Sequence, residues 1–129
     1  GYSKDFNSFE LQNALGQRNL ALCYRIVKYM GNNPSQHPFP LTITVVFNFF
    51  QKLFMYHGLK NPADAPKVLG VSPYFVKDYQ SAAQKYSMRQ TARVLQLLKT
   101  YDLKSKGVGA NNAPLGELMK EMVLKIVSV

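Results

Sequence analysis

Cys23, His37 and His57 are the side chains whose chemistry could support nucleophilic catalysis or metal binding. Neither histidine has a cysteine or carboxylate around it at metal-ligand spacing, and metal sites need several converging ligands. Cys23 falls in the apolar stripe of a predicted helix, where a cysteine usually packs as a small core residue. The chain also lacks the glycine-rich loops that bind nucleotide phosphates. We therefore expect no catalytic residue, no metal, no cofactor and no small-molecule substrate, so the chain is predicted not to be an enzyme.

Positive charge is the more informative chemical signal. The 129 residues include 16 Lys and Arg against 7 Asp and Glu, which gives a net charge of +9. Seven basic and two acidic residues between positions 77 and 106 give that segment a net charge of +5. The candidate contacts to an anion or a partner are Lys77, Lys85, Arg89, Arg93, Lys99, Lys104 and Lys106. Such an excess favours an anionic partner, for example nucleic acid or an acidic protein surface.

Arg89 and Arg93 lie four residues apart on one predicted helix, and Gln96 follows on the same face. Like charges at this spacing destabilise a helix by roughly 0.3 kcal/mol, and an anionic partner would offset that cost. The alternative is a solvated helical face, because exposed Lys and Arg are tolerated without a partner. The sequence leaves both interpretations open.

Residues 63–79 also loosely fit a helix-turn-helix pattern, with a short helix, a turn that contains Gly70, and a second helix from Pro73. In that interpretation Tyr74, Lys77 and Asp78 would face the DNA major groove. The alternative function is therefore a small basic helical nucleic-acid-binding module that uses 63–79 together with the basic segment 77–106. Plain helix packing is favoured, because two helices joined by a glycine-containing turn occur in many helical domains.

We expect helices to position these residues, because signals for the starts and ends of helices recur along the whole chain. Seven helices are predicted, over residues 7–15, 20–30, 41–57, 61–69, 72–86, 87–103 and 115–127, with a loop at 107–114. Residues 41–57 alternate in polarity as a strand would, but they continue without a turn signal far beyond the usual strand length. Gly16 is expected to close the first helix in a left-handed conformation. The predicted fold class is all-α, a compact bundle of about seven helices around 41–57.

The composition fits a single domain, because 47% of the residues are hydrophobic and only 18% are charged. Cys23 is the only cysteine, so no internal disulfide can form and a reducing cytoplasmic location is expected. The apolar stretch 41–56 is interrupted by polar residues and is too short to cross a bilayer, so no membrane partner is expected. The chain begins at Gly1 without a methionine, which suggests that residues 1–129 are the C-terminal fragment of a longer protein.

Four segments together resemble the C-terminal collar domain of the delta subunit of bacterial DNA polymerase III, a clamp-loader subunit. They are residues 9–15 (FELQNAL), 69–73 (LGVSP, with Val76 following), 82–87 (AAQKYS) and 97–106 (LLKTYDLKSK). The last segment is the most distinctive, because in this family an Asp followed closely by a Lys precedes the loop to the final helix. The neighbourhood of Asp102 and Lys104 favours delta over the delta-prime and gamma/tau collars, which share the architecture.

The resemblance implies a function in assembly. In clamp loaders such domains form a helical collar, in which one copy from each of five subunits packs against its neighbours. The implied partners are the delta-prime and gamma/tau subunits, and the implied role is to support loading of the sliding clamp in DNA replication. The clamp-opening region and the ATPase-like fold of the family are missing from this chain. The basic segment would then lie near DNA or contact an acidic neighbouring subunit.

Overall fold

Helices form the framework of the computed structural model, which describes residues 5–109 and 114–129. The helices in those ranges are α1 (Ser8–Gly16), α2 (Leu20–Asn32), α3 (Phe39–His57), α4 (Ala65–Leu69), α5 (Val76–Lys85), α6 (Met88–Ser105) and α7 (Leu115–Val127). Short 3-10 turns at Pro62–Asp64 and Pro73–Phe75 lead into α4 and α5. The described residues contain no strand, so the predicted all-α fold is confirmed. Residues 110–113 of the predicted loop 107–114 lie outside the described residues.

Capping contacts confirm where α1 and α6 begin. The amide of Glu10 donates a hydrogen bond to Asn7 Oδ1 at 3.0 Å. Ser87 and Gln90 form a capping box: the Gln90 amide donates to Ser87 Oγ at 3.1 Å, and the Ser87 amide donates to Gln90 Oε1 at 2.9 Å. These contacts satisfy amides that have no acceptor within the first turn of a helix. Asn7 and Ser87, the first residues of the predicted ranges 7–15 and 87–103, therefore cap the two helices.

The segment that alternates in polarity is the 19-residue helix α3. Pro40 lies in its first turn, where the missing amide hydrogen is not needed. The buried face of α3 consists of Phe39, Thr42, Ile43, Val46, Phe49, Phe50 and Leu53. Spacings of three and four residues separate these positions, as helical packing requires. Within the described ranges, neither α3 nor any other helix has the length and apolar content needed to cross a bilayer.

The helices pack in two connected halves. α3 packs against α1, α4, α5 and α6, whereas the main neighbours of α2 are α7 and α1. Residues 41–57 were expected to lie at the centre of the whole bundle, but α3 is central to one half only. In the other half, α2 and α7 pair mainly with each other. Gly31 and Gly116 permit this pairing, because a Cβ on Gly31 would lie only 3.3 Å from Gly116 Cα. α1 and α6 contact both halves and join them into one core.

Gly16 does not take the predicted left-handed conformation. It is the last residue of α1, and the positive φ occurs two residues later, at Arg18, where φ is 53°. A Cβ on Gly16 would lie 3.3 Å from two ring carbons of Phe49, which is tighter than ordinary van der Waals contact. The close approach of α1 to α3 therefore favours glycine here, because a larger residue would have to displace the Phe49 ring by a few tenths of an ångström, and the local pattern alone cannot reveal this. Gly70, with φ of 67°, does close α4 as predicted.

Arg18 links the turn after α1 to the end of α7. Its guanidinium donates hydrogen bonds to the backbone oxygens of Lys85 at 2.8 Å, Val127 at 2.8 Å and Val129 at 3.0 Å. The guanidinium carbon also lies 4.1 Å from the centre of the Tyr86 ring, which is close enough for a cation–π interaction. One side chain therefore holds three separate parts of the chain together.

Tyr86, which lies between α5 and α6, is a second junction. Its side chain is fully buried, and its hydroxyl donates a hydrogen bond to the backbone oxygen of Leu15 at 2.6 Å. Its own backbone oxygen accepts a hydrogen bond from His57 Nε2 at 2.8 Å. Burial raises the pKa of Tyr86, and the nearby Arg18 charge opposes this shift in part. Tyr86 thus connects α1, the end of α3 and the start of α6.

Candidate interaction surfaces

The side chains considered for catalysis or metal binding all have packing or hydrogen-bonding contacts. Cys23 is fully buried in the core, and the ring of His37 packs edge-on against Tyr29 with 5.4 Å between centres. His57 donates to the backbone of Tyr86, as described above. In the part of the chain that the structure describes, no three His, Cys, Asp or Glu residues cluster closely enough to hold a metal ion. The placement of Cys23 in the core confirms the sequence prediction.

Burial raises the pKa of the Cys23 thiol from 9.0 to about 12. Because the thiolate is the reactive form, we expect dithionitrobenzoate at pH 8 to modify native Cys23 about a thousandfold more slowly than the unfolded chain. Absorbance of the released thiol, followed with and without urea, measures both rates. Equal rates in the two conditions would contradict this prediction.

The same shift predicts the direction of a pH effect. Above about pH 9 the unfolded chain releases the Cys23 proton, whereas the folded protein keeps it until about pH 12. The unfolded state then binds fewer protons, so the Cys23 contribution to the free energy of unfolding falls as the pH rises through this window. Urea titrations of the wild type and Cys23→Ala at pH 8 and pH 10 separate this contribution from that of the tyrosines.

Arg89 and Arg93 lie on successive turns of α6, and both are exposed, as is Gln96. This confirms the prediction that the three side chains share an exposed face. Among residues 5–109 and 114–129, no ion pair involves either arginine. The first turn of α6 contains no acidic residue, although the positive end of the helix dipole lies there. The charge of both arginines therefore has no partner in this part of the protein.

The other five basic candidates are Lys77 and Lys85 on α5, Lys99 and Lys104 further along α6, and Lys106 directly after α6. Lys106 is paired with Asp102 at 3.0 Å, and Lys99 borders a groove between α3 and α6. The basic candidates therefore differ in their surroundings.

The segment considered as a helix-turn-helix consists of two short helical units. Residues 62–69 form a 3-10 turn followed by the five-residue helix α4, and Gly70 leads to a second 3-10 turn before α5. Tyr74 lies in this second turn, because α5 begins only at Val76. Tyr74 and Lys77 are exposed, with Lys77 Nζ 4.2 Å from the centre of the Tyr74 ring, while Asp78 is half-buried. DNA binding through this segment stays a prediction.

An apolar groove of about 300 Å³ between α1, α3 and α5 is the feature that sequence analysis did not identify. We call it the aromatic groove, and its apolar lining consists of Phe9, Val45, Phe49, Val71, Phe75 and Tyr79. The rings of Phe49 and Tyr79 stack with 4.9 Å between centres and are buried beneath it. Burial, with a smaller effect of the Asp78 carboxylate, raises the pKa of Tyr79.

Three large aromatic side chains are exposed at or beside the aromatic groove. Phe9 is 62% exposed and Phe75 is 51% exposed, although both are strongly apolar. Tyr74 is 67% exposed and packs edge-on against Phe75 with 5.2 Å between ring centres. One sequence signal could have indicated this surface, because Phe9 lies on the side of α1 opposite to the buried Leu11. Exposed apolar clusters of this kind mark interaction sites.

Comparison of this chain with protein-family models, curated proteins and solved structures finds no match. Two surfaces of the domain, the aromatic groove and the outer face of α6, are its candidate interaction sites. The surfaces differ in chemistry. The aromatic groove offers apolar anchors and a concave shape, which suit a protein partner, whereas the outer face of α6 offers unpaired positive charge.

Proposed function

We propose that this domain is a non-catalytic subunit-assembly module, the collar domain of a bacterial clamp-loader delta subunit. In that role it works in the cytoplasm and supports the loading of the sliding clamp during DNA replication. The exposed aromatic side chains at the aromatic groove are the observation that carries the proposal. Binding energy at protein interfaces is concentrated in a few large, mainly aromatic side chains that become buried on contact.

The segments behind the family resemblance support the same surface. Phe9 belongs to segment 9–15 and Val71 belongs to segment 69–73, and both side chains line the aromatic groove. Segment 97–106, the most distinctive of the four, forms the second half of α6. Two segments that lie far apart in sequence therefore contribute to one surface, as expected if that surface is used for assembly.

In the proposed mechanism, an apolar side chain of a neighbouring collar domain enters the aromatic groove between Phe9 and Phe75. Burial of both phenyl rings would supply most of the affinity. Lys52 and Asp78 at the groove would orient the partner through polar contacts at its rim. The proposed neighbours are the delta-prime and gamma/tau subunits, which would fix the position of this domain in the ring.

Size-exclusion chromatography with light scattering tests the proposal. The chain is mixed with delta-prime and gamma/tau subunits from the same organism, at about 0.15 M salt, where exposed charges are already well screened. We expect a defined mixed assembly. Phe9→Ala/Phe75→Ala should weaken it at least about thirtyfold, the effect of losing one strong anchor.

Met88→Ala/Leu124→Ala is the matched control, because it removes two exposed apolar side chains that do not line the aromatic groove. This control should assemble as the wild type does. A wild-type chain that stays monomeric with both partners would overturn the collar proposal. If Phe9→Ala/Phe75→Ala assembles as well as the wild type does, the aromatic groove is not the interface of that assembly.

A further inference from the structure

The outer face of α6 presents a polar stripe that the aromatic groove does not include. We call it the α6 stripe, and it consists of Arg89, Arg93, Gln96 and Thr100, all of which are exposed. Arg89 and Arg93 lie about 6 Å apart along the helix axis, and the whole stripe spans roughly 16 Å. Lys85, also exposed, ends α5 shortly before α6 begins. The α6 stripe is thus a straight, basic surface on a rigid element.

The arrangement of charge on this stripe does not stabilise the helix. Arg89 and Arg93 repel each other at four-residue spacing, and Arg89 also lies in the first turn, at the positive end of the helix. The capping box of Ser87 and Gln90 satisfies amides there, a role that a guanidinium cannot take because it has no acceptor. Elsewhere on the same helix, Asp102 does neutralise Lys106. Positive charge is therefore concentrated where the described residues supply no counter-charge.

We propose that the α6 stripe binds the backbone phosphates of duplex DNA. Guanidinium groups match phosphate oxygens with two parallel hydrogen bonds, and the side-chain amide of Gln96 can donate to a further backbone oxygen. Duplex DNA carries one phosphate per ~3.4 Å of axis on each strand, so a stripe of this length spans several phosphates. The contact would be independent of base sequence.

The chemistry of the stripe favours DNA over an acidic protein. Protein interfaces contain apolar or aromatic anchors at their centre, whereas interfaces with DNA are more polar and more positively charged. No large apolar side chain is exposed between Arg89 and Thr100. The exposed Met88 and Leu103 lie beyond the two ends of the α6 stripe.

The same observations favour a duplex over a single strand. Single-strand binders stack bases on exposed aromatic rings, and none lies on this face of α6 between Arg89 and Thr100. Duplex DNA therefore fits the stripe better than single-stranded DNA. This proposal does not depend on the collar assignment, because the aromatic groove and the α6 stripe use different side chains.

Fluorescence anisotropy with a labelled duplex, between 0.05 and 0.2 M salt, tests the proposal. The full chain should bind, and the logarithm of its affinity should fall linearly with the logarithm of salt concentration. Arg89→Gln/Arg93→Gln should lose about tenfold in affinity at the lower salt concentration and reduce the salt slope by about 1.8, the value for two phosphate contacts.

Lys28→Gln/Lys60→Gln is the matched control, because it removes the same charge from two exposed positions outside α6. This variant should lose much less affinity than Arg89→Gln/Arg93→Gln. Arg89→Lys/Arg93→Lys should keep the salt slope and lose only part of the affinity, since the charge remains without the bidentate geometry. Unchanged circular dichroism would show that all three variants fold.

Three outcomes would overturn the proposal. One is a wild-type chain that does not bind the duplex. Another is equal loss of affinity in Arg89→Gln/Arg93→Gln and in the control, which would indicate diffuse attraction by net charge. The third comes from competition with single-stranded DNA and polyglutamate: if either binds the α6 stripe more tightly than the duplex does, the partner is a single strand or an acidic protein.

Discussion

Phe50→Ala should lower the free energy of unfolding by about 4 kcal/mol, the largest loss we expect from a single substitution. Phe50 is fully buried on α3, and its ring packs edge-on against Phe49 and Tyr86, with 5.4 and 5.3 Å between ring centres. Truncation removes buried apolar surface and leaves a cavity where α3 meets α5 and α6. Urea denaturation followed by circular dichroism measures the loss.

The same chemical change at an exposed position provides the control. Phe9→Ala should change the free energy of unfolding by less than about 0.5 kcal/mol, because Phe9 contributes little to the core. Should Phe50→Ala fail to fold, Phe50→Leu retains most of the volume and should lose about 1 kcal/mol. Equal losses in Phe9→Ala and Phe50→Ala would contradict the placement of these two rings.

Arg18→Ala should lower the free energy of unfolding by about 3 kcal/mol. The substitution removes three hydrogen bonds from a charged donor to backbone oxygens, together with the contact of the guanidinium with the Tyr86 ring. This loss in the free energy of unfolding is smaller than the sum for three strong hydrogen bonds, because Arg18 is only half-buried. Amide hydrogen exchange should also accelerate at the end of α7, where Val127 and Val129 lose their donor.

Arg18→Gly distinguishes the effect of the lost side chain on stability from the effect of the backbone conformation. At φ of 53° glycine is favoured over other residues by roughly 1 kcal/mol, so Arg18→Gly should be more stable than Arg18→Ala by about that amount. Both variants lose the guanidinium contacts, so both should remain less stable than the wild type. A glycine variant less stable than the alanine variant would contradict the left-handed conformation at this position.

Local sequence signals predicted each of the seven α-helices in the described ranges, but α4 and α5 begin at Ala65 and Val76, after 3-10 turns, and not at positions 61 and 72. Side-chain caps at Asn7 and Ser87, and Gly70 after α4, determine where helices begin and end, and each depends on residues close in sequence. Gly16 shows where this reasoning fails. Its role is set by the Phe49 ring, which lies on another helix and is far away in sequence. Arg18 adopts the left-handed conformation instead, and the contacts of its side chain with distant backbone groups hold it there.

The two candidate surfaces also differ in whether local sequence patterns could predict them. The exposed face with Arg89 and Arg93 could be predicted, because helical spacing alone places both side chains on one side of α6. The aromatic groove could not be predicted, since Phe9 and Phe75 come from separate segments and meet only when α1, α3 and α5 pack. Composition indicates that a chain is rich in aromatic residues, but tertiary packing decides which of them remain at the surface.

The pairing of α2 with α7 has a consequence for synthesis on the ribosome. Translation produces α2 before α3 to α6 and α7 after them, yet α2 and α7 are main neighbours of each other. Until α7 emerges, the apolar face of α2, which contains Ile26 and Met30, lacks its native cover, and the carbonyl oxygens that Arg18 binds near residue 127 do not yet exist. We therefore expect the nascent domain to be aggregation-prone until α7 has left the exit tunnel and can pack on α2.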